Sequence, residues 1–235
     1  MGRPPSSIAR WESAQRTPSL EVLAEAAEAC GFTLSIQPQA RNHRVIAEID
    51  QLLPLTPANR IRSEAPEDWL AFEFLKQCWR DEQGGPQCEV IGDLAARSLG
   101  VPVRLQRRTV ELCIYGSPQD SAAINRIANP LGGQLGDSAK DTPEGALRWE
   151  FPDGSALEVH IQPRGTQGYH DLRAHGESVE ILGNGKETAV ASLEDLARIA
   201  TCTDVPAGRA QLELIQQTVR RHDEMGLPRN RTTYR

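Results

Sequence analysis

The segment RRTVELCIYG, residues 107–116, alternates apolar and polar side chains in a way that could support metal chemistry. Because successive side chains of a strand point to opposite faces, Glu111, Cys113 and Tyr115 should share one face. The opposite, apolar face would carry Val110, Leu112 and Ile114. This pattern predicts a half-buried strand whose second face carries one carboxylate and one thiol.

A second segment, LEVHIQ, places another acid and a histidine two residues apart. By the same alternation, Glu158 and His160 should share one face of a strand. Carboxylate, thiolate and imidazole groups are all zinc ligands, so Glu111, Cys113, Glu158 and His160 could together bind Zn²⁺. The other interpretation is that the cysteine is simply buried, since no spacing typical of a zinc site is present.

Composition limits the classes of function that the chain can have. Its 235 residues carry a net charge of −6 with a pI near 5.5, which does not favour binding of nucleic acid through the overall field. The five cysteines are odd in number and include no C-x-x-C pair, so we expect reduced thiols. No apolar run is long enough for a membrane span or a signal peptide, so we predict a cytoplasmic protein without a membrane partner.

Two short amphipathic helices are predicted in the first 36 residues. Ser6 and Ser7, after two prolines, could cap the first helix, and the motif T-P-S could cap the second. Apolar side chains recur at helical spacing from Leu20 to Ala27, and Gly31 is placed to end that helix. Any DNA binding by this acidic chain would have to be local to such an element.

The stretches SIARWES, RTPSLEVLAEAA and GFTL resemble the second half of the Cro/repressor-type helix-turn-helix domain of the XRE family. The resemblance implies that Ser6, Ser7 and Arg10 face base edges from a recognition helix and that Arg16 lies near phosphate, with operator DNA as partner. The two helices that precede the recognition helix in that family are missing here, through a start assigned too late or a natural truncation. The alternative interpretation is a helical hairpin without DNA contact.

The hydrophobic pattern divides the chain into four segments. The predicted segments are a partial helix-turn-helix element at 1–36, a linker and helical connector at 37–87, a second domain at 88–225 and a flexible tail at 226–235. Helices are expected near 45–53 and 69–75 in the connector.

The second domain mixes strands and helices. We predict a strand CEVIG, a helix DLAARSLG, a strand VELCIY and a helix over 124–131. A hairpin ALRWEFPDGSALEVHIQ with PDGS as its turn follows, then a shorter hairpin around 183–185 and the helices SLEDLARIATC and RAQLELIQQTVRRHDEM. This order predicts an α/β fold with helices packed on a mixed sheet. His170 and His175 are expected on the surface.

Four segments in this order, VIGDLAARSLG, RRTVELCIYGSP, LEVHIQPRGTQGYHDL and VASLEDLARI, resemble the minimal nucleotidyltransferase domain of AbiE-type and related toxin–antitoxin systems. The resemblance covers about residues 88–216. In that family a Gly-Gly or Gly-Ser turn receives the nucleotide triphosphate. Two acids of a D-x-D motif, with a third on a later strand, hold two Mg²⁺ ions.

Matched by position, this chain departs from the family pattern at two of its five residues. Gly92 matches the first turn residue, and Asp93 replaces the second. Glu111 and Glu158 match the first and third acids, and Cys113 replaces the second. A carboxylate repels a triphosphate, and a thiol is a poor ligand for a hard cation. These departures from the family pattern therefore predict a nucleotidyltransferase-like site that is no longer active, with Glu111, Cys113 and Glu158 as its vestiges.

Three functions remain open from the sequence. The first, which we prefer, is a DNA-binding transcriptional regulator or antitoxin-like protein, whose second domain would bind a protein partner, a nucleotide or a second copy of itself. The second is an active nucleotidyltransferase, in which Glu111 and Glu158 would hold Mg²⁺. The third is an interaction module with neither activity.

Overall fold

A computed structural model describes most of the chain in two compact units, Met1–Arg41 and Asn42–Arg235. The described residues are 20–32, 42–65, 69–78, 80, 84–105, 108–136, 146–203 and 206–226. The predicted DNA-contacting residues, Ser6, Ser7, Arg10 and Arg16, lie outside these ranges.

The smaller unit contains helix α1, Leu20–Ala29. Gly31 has a φ of 79°, the left-handed conformation that ends many helices. The amide of Phe32 donates to the carbonyl of Ala27 at 2.8 Å and that of Gly31 to Glu28 at 2.9 Å, which satisfies two terminal carbonyls. The predicted helix and its glycine stop are therefore confirmed.

The larger unit contains helices and strands in mixed order. Its helices are α2 (His43–Leu52), α3 (Pro57–Arg62), α4 (Leu70–Cys78), α5 (Gly92–Ser98), α6 (Pro118–Ala128), α7 (Tyr169–His175), α8 (Leu193–Cys202) and α9 (Pro206–Glu224), with a 3₁₀ turn at Asn129–Leu131. Its strands are β1 (Cys88–Ile91), β2 (Thr109–Ile114), β3 (Gln134–Leu135), β4 (Leu147–Glu150), β5 (Ala156–His160), β6 (Glu177–Val179) and β7 (Thr188–Val190). All the elements expected after residue 42 are present, and α3, α7 and β3 are additional to them.

Within the described ranges, seven strands form one mixed sheet in the order β3, β4, β5, β2, β1, β7, β6. Strand β2 runs parallel to β5, and β1 runs parallel to β7, whereas the remaining neighbours are antiparallel. This sheet with its flanking helices confirms the α/β class.

An apolar row across the central strands forms the core of the larger unit. Val90 pairs with Leu112, which in turn pairs with Val159, and each is at most 2% exposed. Phe74 of α4 is fully buried in the same core. Complete burial of one such side chain stabilises a fold by about 1.5–3 kcal/mol, so this row holds the strands in a fixed register.

Arg60 of α3 joins the connector helices to α5. Its guanidinium group donates to the carbonyls of Leu52 at 3.0 Å, Leu53 at 2.9 Å and Ser98 at 2.6 Å. These carbonyls lie at the ends of α2 and α5, where intrahelical donors are missing. The contact fixes α5, whose first residue is Gly92, against the connector.

The predicted PDGS turn joins β4 to β5. Gly154 has a φ of 77°, and Asp153 Oδ1 accepts hydrogen bonds from the amide of Ser155 at 3.0 Å and from its hydroxyl at 2.7 Å. These local bonds set the register in which Arg148 lies opposite Glu158.

No helix in the described part of the chain is long and apolar enough to cross a lipid bilayer.

Candidate functional site

Polar side chains from four neighbouring strands collect on one face of the sheet. Residues paired across adjacent strands direct their side chains to the same face. Glu111 pairs with Glu158 and Cys113 with His160 on the parallel strands β2 and β5. Across the antiparallel partners, Glu89 lies opposite Cys113 and Arg148 opposite Glu158. We call this set the polar face: Glu89, Glu111, Cys113, Arg148, Glu158 and His160.

Three members of the polar face could hold a metal ion. One carboxylate oxygen each from Glu111 and Glu158 and one ring nitrogen of His160 all lie within 4.8 Å of one another. All three residues are partly exposed. We call them the Glu–Glu–His cluster.

Arg148 opposes the negative charge of this cluster. Its Nη1 forms an ion pair with Glu158 Oε1, and its Nε lies 3.3 Å from Glu150 Oε1. The guanidinium group thereby offsets the repulsion between the two glutamates. Sequence patterns did not identify Arg148, because its role depends on the β4–β5 register.

Gly92, the first residue of the predicted nucleotide-binding turn, lies next to Glu111, which matches the first acid of the family motif. It has a φ of 67°, and a Cβ built at this position would lie 2.4 Å from the carboxyl group of Glu111. Any other residue would therefore strain the backbone and displace Glu111. Asp93, the next residue, accepts a hydrogen bond from Gln211 Nε2 of α9 at 3.0 Å.

Cys113 lies on the polar face but away from solvent. It is 0% exposed, and its thiol donates to the carbonyl of Ile161 at 3.6 Å. Burial, aided by the negative charge of Glu89, raises the pKa of the thiol to about 12. Its sulfur is not among the donor atoms that lie close together, so of the four residues considered as zinc ligands only three are grouped, and Cys113 is buried. The strand is also less exposed than predicted, since only Glu111 and the following Tyr115 reach solvent on this face.

Glu89 is a buried acid that the sequence did not reveal. It is 0% exposed, and its Oε1 accepts a hydrogen bond from Arg173 Nη1 of α7 at 3.1 Å. Burial raises the pKa of this carboxyl group to about 7. A glutamate in the otherwise apolar segment CEVI was the available signal, but the burial depends on α7, which the sequence did not predict.

The surface histidines are placed as expected. His170 and His175 are exposed. The ring of His170 lies 4.9 Å from that of Tyr115 in an edge-to-face arrangement. Neither histidine belongs to the Glu–Glu–His cluster.

Comparisons with protein-family models, with curated proteins and with solved structures found no match to this chain.

The raised pKa of Glu89 predicts that stability falls as the pH rises. The folded chain retains a proton on Glu89 up to about pH 7, whereas an unperturbed glutamate loses it near 4.5. The stabilisation is complete below about pH 4.5 and lost by about pH 7, with a total of roughly 3 kcal/mol. The Glu89→Gln variant should therefore gain stability relative to the wild type across this range, measured by urea unfolding at several pH values.

Glu150→Gln, which removes an exposed acid of β4, is the matched control for this comparison. Glu177 also contributes to the wild-type pH dependence, since burial raises the pKa of its carboxyl group to about 7. If the Glu89→Gln variant and the wild type lose stability in parallel between pH 4.5 and 7, Glu89 is not the responsible group.

Proposed function

We propose that this chain is a DNA-binding regulator of the antitoxin type, whose larger unit is a nucleotidyltransferase-like domain that no longer transfers nucleotides. The observation that best supports the loss of nucleotide transfer is that Cys113, a buried thiol, stands at the position of the second acid.

The arrangement of the polar face supports the nucleotidyltransferase-like interpretation. Gly92, at the start of α5, contacts the carboxylate of Glu111, so the residues matched to the nucleotide turn and the first acid are neighbours. Glu158, matched to the third acid, lies directly beside Glu111 on a parallel strand. Three elements far apart in sequence thus bring the matched residues together.

Cys113 supports the loss of activity. Two Mg²⁺ ions need oxygen ligands from all three acid positions, and Cys113 offers a buried, protonated thiol at the second. The sulfur is also engaged with the carbonyl of Ile161. The residues present therefore do not fit a pair of Mg²⁺ ions.

Asp93 opposes nucleotide binding at the turn. Its carboxylate is held by Gln211 at 3.0 Å beside the residue where a triphosphate would approach. Like charges repel strongly when one of them is held in place and partly desolvated. The change at Asp93 therefore opposes nucleotide transfer, as the change at Cys113 does.

Support for DNA binding comes from the sequence of the smaller unit. The segments matched to a recognition helix and its following helix occur in the expected order, and α1 ends at Gly31 as that match predicts. Helix-turn-helix proteins of this kind bind two DNA half-sites as dimers. We therefore also propose that the chain forms a homodimer or binds a protein partner.

The DNA-binding part is tested at Arg10. After selection of preferred sequences from a random DNA pool, Arg10→Ala should weaken binding by about 1–3 kcal/mol and relax preference at one base pair. Arg16→Ala should instead weaken binding to all sequences alike and reduce its salt dependence. Gel shifts with the two variants separate these effects. Unchanged affinity and preference for the Arg10→Ala variant would remove that residue from base recognition.

The loss of transfer is tested at Cys113. A carboxylate placed there would be buried beside Glu89, so Cys113→Asp should destabilise the fold by about 3–5 kcal/mol and should not create Mg²⁺ binding. Cys113→Ser, which keeps a donor for the carbonyl of Ile161, is the matched control and should cost less. Chemical unfolding and calorimetry with Mg²⁺ measure both effects. A stable Cys113→Asp variant that binds Mg²⁺ would show that the position still faces a metal site.

A further inference from the structure

The donor atoms of the Glu–Glu–His cluster differ in kind from those of a magnesium site. Magnesium prefers oxygen ligands in octahedral geometry and retains several waters. Imidazole nitrogen together with carboxylate oxygen is instead a ligand set for zinc and related divalent transition ions. The cluster offers one nitrogen and two oxygens.

We propose that Glu111, Glu158 and His160 bind a single divalent transition-metal ion, with Zn²⁺ as the representative. This inference deepens the proposed function and rests on it in one respect, namely that the second acid position no longer serves a magnesium pair. His160, two residues beyond Glu158 on the same face of β5, supplies the third ligand.

The spacing of the donor atoms suits such an ion. Zinc binds nitrogen and oxygen at roughly 2.0–2.2 Å, which places tetrahedral ligands about 3.4 Å apart. The donors of the cluster already lie within 4.8 Å of one another. Side-chain adjustments of about 1 Å would close the remaining gap without moving the strands.

The backbone holds the three residues in place. Glu111 and Glu158 are direct partners in the parallel β2–β5 ladder, and His160 follows in the same register. Both strands lie inside the sheet, between β4 and β1. Gly92 lies close to Glu111, since a Cβ built at Gly92 would be 2.4 Å from the Glu111 carboxyl group. Such fixed positions lower the entropy cost of assembling a site.

Arg148 is compatible with a bound ion. Its contact uses Oε1 of Glu158, and a carboxylate has about four lone-pair positions on two oxygens. Metal-bound carboxylates are commonly hydrogen-bonded to a neighbouring donor in this way. With Arg148 included and His160 neutral, the two glutamates leave the cluster with one net negative charge, which attracts a dication.

The test is calorimetric titration of the full chain with Zn²⁺ alone and with Mg²⁺ alone. We expect one Zn²⁺ per chain and no saturable heat with Mg²⁺. Loss of a partner that only orients a ligand costs about 10–100-fold in metal affinity, so His160→Ala and Glu111→Gln, which remove ligands, should each cost more than about 100-fold. Circular dichroism of each variant verifies that it is folded.

Two matched variants separate this site from adventitious binding. His175→Ala removes an exposed histidine outside the cluster, and a Cys30→Ser, Cys202→Ser double variant removes the exposed thiols. Both should retain the wild-type Zn²⁺ affinity. Absence of Zn²⁺ binding, binding that survives His160→Ala, or binding lost with the cysteines would overturn the proposal, the last two as an adventitious ion only.

The outcome is distinguishable from failure of the proposed function. If Zn²⁺ does not bind and Mg²⁺-nucleotide does not bind either, the metal proposal fails while the loss of transfer stands. If Mg²⁺-nucleotide binds and depends on Glu111, the argument from Cys113 and Asp93 against a nucleotide site fails, whatever the result with Zn²⁺.

Discussion

The parallel pairing of β2 with β5 is the constraint on which the candidate site depends. It places Glu111 beside Glu158 and Cys113 beside His160, although the two strands are separated by more than 40 residues of sequence. The apolar row on the reverse of these strands is fully buried, so a shift by one residue would move every apolar side chain to the wrong face. The chemistry of the polar face is therefore set by the packing of the opposite face.

Charge on the polar face is balanced by arginines from two other elements. Arg148 of β4 pairs with Glu158, and Arg173 of α7 pairs with Glu89. The two acids differ in exposure, since the side chain of Glu158 is 21% exposed whereas that of Glu89 is buried. The Arg173–Glu89 contact gives little net stability, because burial of the carboxyl group disfavours its charged form and offsets much of the attraction to the half-buried guanidinium group. The polar face therefore has a buried part at Glu89 and Cys113 and a partly exposed part at the Glu–Glu–His cluster.

Local elements of this fold could be predicted from the sequence, and its long-range pairing could not. The alternation in 109–114, the PDGS turn and the glycine after α1 each have a local physical cause, and all three are present. Helix α3 has only six residues, and strand β3 only two, which is too short for a hydrophobic period to be recognised.

The candidate site was predictable only in part for the same reason. Alternation correctly placed Glu111 with Cys113 and Glu158 with His160 on common faces. It could not show that Cys113 is covered, or that Glu89 lies opposite it, because both depend on the β1–β2 register and on packing by α7. Whether a residue is buried depends on residues that are close in space but distant in sequence. A local sequence pattern therefore cannot predict it.

The measurement that most directly tests the loss of nucleotide transfer is calorimetric titration of the full chain with ATP and with CTP, each with and without Mg²⁺. Because Cys113 offers a buried thiol in place of a carboxylate and Asp93 adds a negative charge at the turn, we expect no Mg²⁺-dependent heat with either nucleotide. Saturable binding that requires Mg²⁺ and disappears in a Glu111→Gln variant would contradict this account and would identify the polar face as a working nucleotide site.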